Sequence, residues 1–126
     1  MKTYLLDTHA LLFWLVRPAS LSKKVFGLLD GGQAYFLVSV MSLLEARYLM
    51  EAGESRVTPG DVTAFLQSHD NFHLVPVDES VVSRAYSLDS RDPFDRLIMA
   101  TALAYDVPIV TKDGWMSERF PKKVVW

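Results

Sequence analysis

The sequence predicts one α/β domain built on a parallel sheet of four or five strands that helices cover on both faces. Short apolar runs rich in branched and aromatic residues alternate with longer segments of helical periodicity, which is typical of βαβ units. Glycine, proline and helix-capping residues separate the runs. The chain has 126 residues, of which 50% are hydrophobic, so residues 1–126 are expected to form a single domain with a substantial core.

The first part of the chain predicts a buried strand followed by two helices. Residues 3–6 are an apolar run that favours the strand, and Asp7 directly after it is a typical helix N-cap. Residues 9–16 are continuously apolar and predict the first helix. Residues 20–29 carry apolar positions at helical spacing and run towards Gly31, so we expect a second helix that a glycine ends.

The middle of the chain repeats this pattern. Residues 34–38 combine aromatic and branched side chains, which favours a second buried strand, and residues 39–50 predict the next helix. Thr58 before a proline indicates the start of a further helix. Residues 72–77 predict a third strand, in which Pro76 indicates a sheet edge or the strand's end, because proline lacks a backbone N–H.

The last part predicts two helices and two more strands. Residues 78–88 and 93–106 have helical periodicity, residues 107–110 predict a fourth strand, residues 112–114 a turn, and residues 124–125 a fifth strand. Strands joined by helices imply right-handed crossovers, and therefore parallel pairing.

Composition excludes several classes of protein. With 13 basic and 15 acidic residues the net charge is −2, so a polyanion would have to be held by local basic residues or by a metal ion. The chain has no cysteine, which excludes disulfides, thiolate nucleophiles and cysteine-ligated zinc. No apolar run approaches the roughly 18 residues of a membrane helix. We expect a soluble, cytoplasmic protein that does not associate with membranes.

Residues 91–97 place two carboxylates and two guanidinium groups around a helix start. Asp92 followed by Pro93 is typical of an N-cap and the first helical residue. Asp95 then lies in the first turn, where free backbone N–H groups and the helix dipole favour its ionised form. Taken alone, this pattern is explained by helix capping without any catalysis.

Four acidic residues are expected at one edge of the predicted sheet. Asp7 ends the first strand, Asp113 follows the fourth, and Glu45 lies within the first two turns of the helix after the second strand. The C-terminal ends of parallel strands share one edge, where ligands bind. Asp95 precedes its strand, but a crossover helix runs antiparallel to the strands it joins, so its first turn reaches the same edge. Each acid also has a structural explanation as a cap, a turn residue or a solvated helix residue.

Such a cluster has a specific chemistry. Carboxylates that lie together repel one another and need a cation or several donors to balance their charge. Oxygen ligands without histidine or cysteine favour Mg²⁺ or Mn²⁺ over zinc. A site of this kind can activate water and hold phosphate oxygens during phosphodiester cleavage. Thr8 and Thr111 lie beside two of the acids and can orient a carboxylate, a water molecule or a phosphate.

Local basic residues would have to offset the net acidic charge. The candidates for a positive rim are Arg17, Lys23, Lys24, Arg47, Arg91 and Lys112. Arg96, beside Asp95, can pair with Glu45, pair with Asp92 or contact substrate phosphate, and the sequence leaves these three alternatives open.

Four stretches together resemble the PIN-domain proteins of the VapC toxin type. They are Leu6-Asp7-Thr8, residues 39–45, Asp92-Pro93-Phe94-Asp95-Arg96 and Thr111-Lys112-Asp113. The resemblance covers essentially the whole chain, and the Asp-Pro-Phe-Asp-Arg string is its most specific part. It implies a single PIN domain that is an Mg²⁺- or Mn²⁺-dependent endoribonuclease toxin, forms a homodimer and is inhibited by a VapB-like antitoxin.

The resemblance also assigns roles to individual residues. It implies that the catalytic acids are Asp7, Glu45, Asp95 and Asp113, that the metal ligands include Asp7, Asp95 and Asp113, and that the supporting residues are Thr8, Asp92, Arg96 and Thr111. The stretch around Glu45 departs from the family pattern, because many relatives with the later string have a tryptophan where Leu44 stands here.

Two other functions remain open. A receiver-type phosphoacceptor domain also uses a parallel sheet with acids at its edge, but it would need an acidic pair early in the chain and a proline after the lysine, where Asp113 follows Lys112 here. A PIN-like module that binds RNA without cleaving it would be expected to lack one of the acids, and none is missing. The large apolar residues at positions 13–15 and at Val62, Phe65 and Leu66 indicate either core packing or a dimer or antitoxin contact.

Overall fold

The computed structural model describes residues 1–126, which form five strands and seven α-helices. The strands are β1 (Lys2–Leu6), β2 (Ala34–Ser39), β3 (Phe72–Val75), β4 (Ile109–Val110) and β5 (Val124–Val125). The helices are α1 (Thr8–Val16), α2 (Lys23–Asp30), α3 (Val40–Glu51), α4 (Pro59–Gln67), α5 (Glu79–Ala85), α6 (Pro93–Tyr105) and α7 (Gly114–Arg119), and a short 3₁₀ helix spans Pro18–Ser20. No helix combines the length and the apolar character needed to cross a membrane.

All five strands are parallel, in the order β3-β2-β1-β4-β5. β1 lies at the centre, and its five residues pair with β2 from Lys2 opposite Ala34 to Leu6 opposite Val38. β3 lies at one edge and ends at Val75, directly before Pro76, as the position of that proline predicts. The α/β fold with a parallel sheet predicted from the sequence is confirmed.

Alternation along the strands divides the core into two layers. Leu6 points to the face covered by α1 to α4, whereas Leu5 points to the opposite face, which α5, α6 and α7 cover. Phe36 is fully buried in the first layer and Ile98 in the second. Each such side chain stabilises the fold by about 2 kcal/mol. Because both faces are covered, the strands are nearly continuously apolar, which is why they could be recognised in the sequence.

Short polar residues fix the helix starts around this sheet. Ser39 begins α3, since its side chain accepts a hydrogen bond from the backbone N–H of Met41. Thr58 and Asp61 form a reciprocal capping box at the start of α4. Because Ser39 is also the last residue of β2, its cap places the first turn of α3 at the C-terminal edge of the sheet.

The structure differs from the sequence-based prediction at several boundaries. Residues 112–114 do not form an isolated turn, because Asp113 caps helix α7, whose Met116 is fully buried. The fourth strand begins at Ile109 rather than at position 107, and helix α2 begins at Lys23 after the 3₁₀ helix rather than at position 20.

The large apolar residues that the sequence indicated as core or contact residues on two helices mostly pack in the core. Val62 and Leu66 are buried, and Phe65 and the side chains at positions 13–15 pack against the same layer. Exposed apolar side chains also occur on α3, where Leu44 is 55% and Tyr48 61% exposed.

Candidate metal centre

Five acidic side chains line one cavity of about 310 Å³ at the C-terminal edge of the sheet. Asp7 follows β1, Glu45 lies in the second turn of α3, Asp95 lies in the first turn of α6, and Asp113 precedes α7. The topology therefore brings together the four acids singled out in the sequence. The fifth is Asp92, and its presence at the cavity goes beyond the capping role that the sequence indicated.

The tightest part of the cluster joins α3 to the start of α6. One carboxylate oxygen from each of Glu45, Asp92 and Asp95 lies within 4.8 Å of the others. This grouping differs from the set of Asp7, Asp95 and Asp113 inferred from the resemblance, because it contains Asp92 and Glu45. Three carboxylates at this separation are suited to a divalent cation, which prefers hard oxygen ligands.

Asp92 combines two functions at the helix start. Its Oδ1 accepts hydrogen bonds from the backbone N–H groups of Phe94 (2.8 Å) and Asp95 (3.3 Å), so it caps α6 as the sequence predicts. Both bonds use the same oxygen, and therefore Oδ2 is available to a cation. The cap also fixes the backbone of Asp95, the residue beside it in the cluster.

Glu45 provides the clearest indication of a missing partner. Its side chain is only 5% exposed, and its Oε1 is buried without any hydrogen-bond donor. An unpaired buried polar atom costs about 1–3 kcal/mol, and more when it is charged. Burial raises the pKa of Glu45, the Thr8 hydroxyl and the charge of His9 oppose the rise, and the charges of Asp7 and Asp92 add to it. A divalent cation would satisfy this oxygen and reverse the electrostatic penalty, so the residues present fit such an ion.

Thr111 links Asp7 to Asp113. Its Oγ1 donates a hydrogen bond to Asp7 Oδ2 at 2.6 Å and accepts one from the backbone N–H of Asp113 at 3.0 Å. The other oxygen of Asp7 accepts a bond from the backbone N–H of Thr8 at 2.8 Å. Burial raises the pKa of Asp7, whereas the bond from Thr111 opposes the rise. Thr111 therefore holds two of the acids in a fixed relation.

Thr8 has a partner that the sequence did not indicate. Its hydroxyl is hydrogen-bonded to the Ser42 hydroxyl at 2.8 Å, and both residues are buried beneath the cavity. Ser42 lies in the first turn of α3, which Ser39 caps. Its position three residues before Glu45, on the same helical face, is the signal that could have identified it.

Asp95 has the most strongly altered titration in the cluster. Burial, followed by the charges of Asp113, Asp7, Asp92 and Glu45, raises the pKa of Asp95 from 3.8 to about 8. Like charges confined in a partly desolvated site favour the protonated form. A divalent cation held by these carboxylates would favour the ionised form instead.

Two basic residues near the cluster are placed differently from each other. Arg96 takes part in no ion pair. Its guanidinium instead donates two hydrogen bonds to the backbone carbonyl of Ala85, at 2.7 and 3.2 Å. Neither the pairing with Glu45 nor that with Asp92 is formed, and Arg96 instead ties α6 to the end of α5. Lys112 does line the acidic cavity, where its Nζ lies 5.0 Å from the centre of the Phe13 ring.

Comparison with known proteins identifies the family of this chain. The family model described as "PIN domain" matches residues 4–119. The chain is 31% identical over 131 residues to Ribonuclease VapC22 of Mycobacterium tuberculosis, and the match covers 100% of both chains.

Two solved structures share the fold. A toxin-antitoxin complex from Klebsiella pneumoniae matches with a TM-score of 0.65 and 16% identity over 98% of this chain and 96% of the other. VapBC2 from Rickettsia felis, bound to a DNA fragment from its promoter, matches with a TM-score of 0.67 and 14% identity over 98% and 97%. The family model and the full-length similarity to VapC22 show that the chain belongs to the PIN-domain family and is of the VapC type.

Proposed function

We propose that this protein is an endoribonuclease toxin that depends on Mg²⁺ or Mn²⁺ and acts in the cytoplasm as a single PIN domain. The observation that carries the proposal is Glu45, whose Oε1 is buried and unpaired and whose carboxylate has an oxygen within 4.8 Å of carboxylate oxygens of Asp92 and Asp95. The similarity to a ribonuclease of the VapC type supports RNA as the substrate.

The five acidic side chains of the cavity would have different roles in holding a divalent ion. Glu45, Asp92 and Asp95 would hold a divalent ion, and Asp7 and Asp113, which line the same cavity, would complete the catalytic set. When bound, the ion supplies Lewis acidity towards a phosphate oxygen and a water molecule.

The surrounding residues keep this arrangement rigid. Thr111 fixes Asp7 and the backbone of Asp113, Thr8 and Ser42 support the floor, and Asp92 holds the first turn of α6. Lys112 at the rim offers a positive charge to a phosphate group. A site held by locked side chains keeps its geometry through the reaction, which favours catalysis.

The proposal includes two protein partners. The similarity in fold to proteins solved as a toxin-antitoxin complex and as VapBC2 supports a VapB-like antitoxin that neutralises the enzyme. A homodimer is supported by Leu44 and Tyr48, two largely exposed apolar side chains on α3.

Cleavage of a mixed RNA pool tests the function. Antitoxin-free protein should cut the RNA with Mg²⁺ or Mn²⁺ and not with EDTA, and Asp95→Asn should lower the rate at least about a hundredfold. Asp70→Asn is the matched control, because Asp70 is an exposed acid outside the cavity. The proposal fails if no divalent ion supports cleavage, or if Asp95→Asn cuts as fast as the control. Binding of RNA without cleavage would identify the non-cleaving module instead.

A further inference from the structure

A second concavity, which we call the α1 groove, adjoins the acidic cavity. It has a volume of about 370 Å³ and lies between α1 and the loop that joins α3 to α4. His9 and Phe13 line both the groove and the acidic cavity, so the two concavities meet at these side chains. An extended ligand that crosses the acidic cavity can therefore continue into the groove.

The α1 groove carries an excess of positive charge. Arg17 and Arg56 line it, both are exposed, and neither takes part in any ion pair of the protein. Glu54 is the one acid in the lining. Unpaired guanidinium groups bind phosphates well, because their planar N–H groups match two phosphate oxygens. The chain as a whole has a net charge of −2, and the neighbouring cavity holds five carboxylates. The excess of positive charge in the α1 groove therefore makes it a suitable place for a polyanion to bind.

The walls of the groove offer an apolar and aromatic surface. The His9 and Phe13 rings lie 6.4 Å apart at the junction with the acidic cavity, and Leu12 and Val16 extend the surface along α1. Unpaired bases of RNA stack on such side chains, whereas bases within a duplex are not available for stacking. The combination of flat apolar walls and two arginines favours a single strand over a duplex.

The loop that carries Arg56 is held in place by local hydrogen bonds. Gly53 has a positive φ of 75°, and its N–H and that of Glu54 donate to the carbonyls of Met50 and Leu49 at the end of α3. This is a Schellman motif, which needs glycine at the left-handed position. Ser55 then accepts a bond from the backbone N–H of Val57. Arg56 is thus presented from an ordered loop.

We propose that the α1 groove binds single-stranded RNA beside the phosphate that is cleaved. Arg17 and Arg56 contact backbone phosphates, and the His9 and Phe13 rings contact a base. The proposal rests on the proposed ribonuclease function and adds the position and the strand character of the substrate.

The test measures RNA binding separately from cleavage. A fluorescein-labelled 20-nucleotide single-stranded RNA of mixed sequence is titrated against protein carrying Asp95→Asn, which keeps the RNA intact, and anisotropy is followed at several salt concentrations. On this background we compare the double variant Arg17→Gln, Arg56→Gln, each single variant, and Arg84→Gln. Arg84 is a matched control, because it is exposed on α5, outside the groove and the acidic cavity.

The double variant should bind the RNA about tenfold more weakly, and the slope of log affinity against log salt should fall by about 1.4 for two lost phosphate contacts. Each single variant should lose about half of that slope, and Arg84→Gln should match the parent. Mn²⁺ affinity should be unchanged in all of them.

Three results would overturn the proposal. Unchanged affinity and slope in the double variant, with RNA cleavage by the wild-type protein intact, would refute the groove assignment while leaving the ribonuclease function standing. Loss of binding to a co-expressed VapB-like protein without loss of RNA binding would make the groove a protein-docking surface. Failure of the wild-type protein to bind or cleave RNA would remove both proposals together.

Discussion

Asp95→Asn should stabilise the metal-free protein at alkaline pH. The pKa of Asp95 is raised from 3.8 to about 8 in the folded protein, so the folded state binds its proton more tightly than the unfolded state does. The folded state then holds more protons between about pH 4 and pH 8, and linkage requires the free energy of unfolding to fall as the pH rises through that window. Above about pH 8 Asp95 is ionised in the folded state, and the free energy of unfolding is lowered by the full amount.

The size of the effect follows from the same rise. One pKa unit corresponds to about 1.4 kcal/mol, so the rise from 3.8 to about 8 sets an upper limit near 6 kcal/mol. Asp95 is only half buried, and solvent screening reduces this to about 2 kcal/mol. For a chain of this length, about 2 kcal/mol corresponds to a rise in Tm of about 6–10 °C.

Thermal unfolding of the wild-type protein and Asp95→Asn in EDTA measures this difference. The variant should be more stable at pH 8.5, and the difference should shrink towards zero near pH 4. Saturating Mn²⁺ should then stabilise the wild-type protein more than the variant, because an ion bound only by the folded state adds its binding free energy. A wild-type protein that is as stable as Asp95→Asn at pH 8.5 without metal would refute this account of the cluster.

Three further predictions concern the residues around the site. Arg96→Gln should lower the free energy of unfolding by about 1–2 kcal/mol in urea titrations, because the hydrogen bonds to Ala85 are lost. Its Mn²⁺ affinity should be unchanged, and a change in Mn²⁺ affinity without a change in stability would show that Arg96 acts at the metal site. Thr111→Val should lower the free energy of unfolding by about 1–3 kcal/mol, because Asp7 loses the hydroxyl that donates to it at 2.6 Å. Thr111→Ser, which keeps a hydroxyl, should lose much less, and equal stability of the two variants would contradict the role of the hydroxyl. Tyr48→Asp should give a monomer in light scattering with an unchanged circular dichroism spectrum, and a persistent dimer would place the contact elsewhere.

The fold and the convergence of the acids could be predicted because both follow from chain order. Strands that alternate with helices are parallel, and their C-terminal ends share an edge, so Asp7, Glu45, Asp95 and Asp113 reach one cavity without knowledge of any side-chain contact. The proximity of their carboxylates requires the packing of α3 against α6. That packing brings Asp92 within reach of Glu45, which spacing along the sequence could not indicate.

The structure differs from the sequence-based prediction where a local sequence is compatible with two structures. Lys112-Asp113-Gly114 is typical of a turn, yet Asp113 caps a helix because Met116 is drawn into the core, and this is a tertiary effect. The partner of Arg96 likewise depends on where α5 ends relative to α6. A long guanidinium side chain can reach many acceptors, and only the assembled structure selects among them.

Manganese binding by Glu45→Gln is the most direct test of the metal centre. Free Mn²⁺ is followed by electron paramagnetic resonance as purified, antitoxin-free protein is added, with Asp70→Asn as the matched control. The wild-type protein and Asp70→Asn should remove the free-ion signal at the same protein concentration. Glu45→Gln, which keeps the shape of the side chain but removes its charge, should need about tenfold more protein while remaining folded. Equal Mn²⁺ affinity in Glu45→Gln and the wild-type protein would contradict the assignment of the buried Glu45 oxygen to a cation.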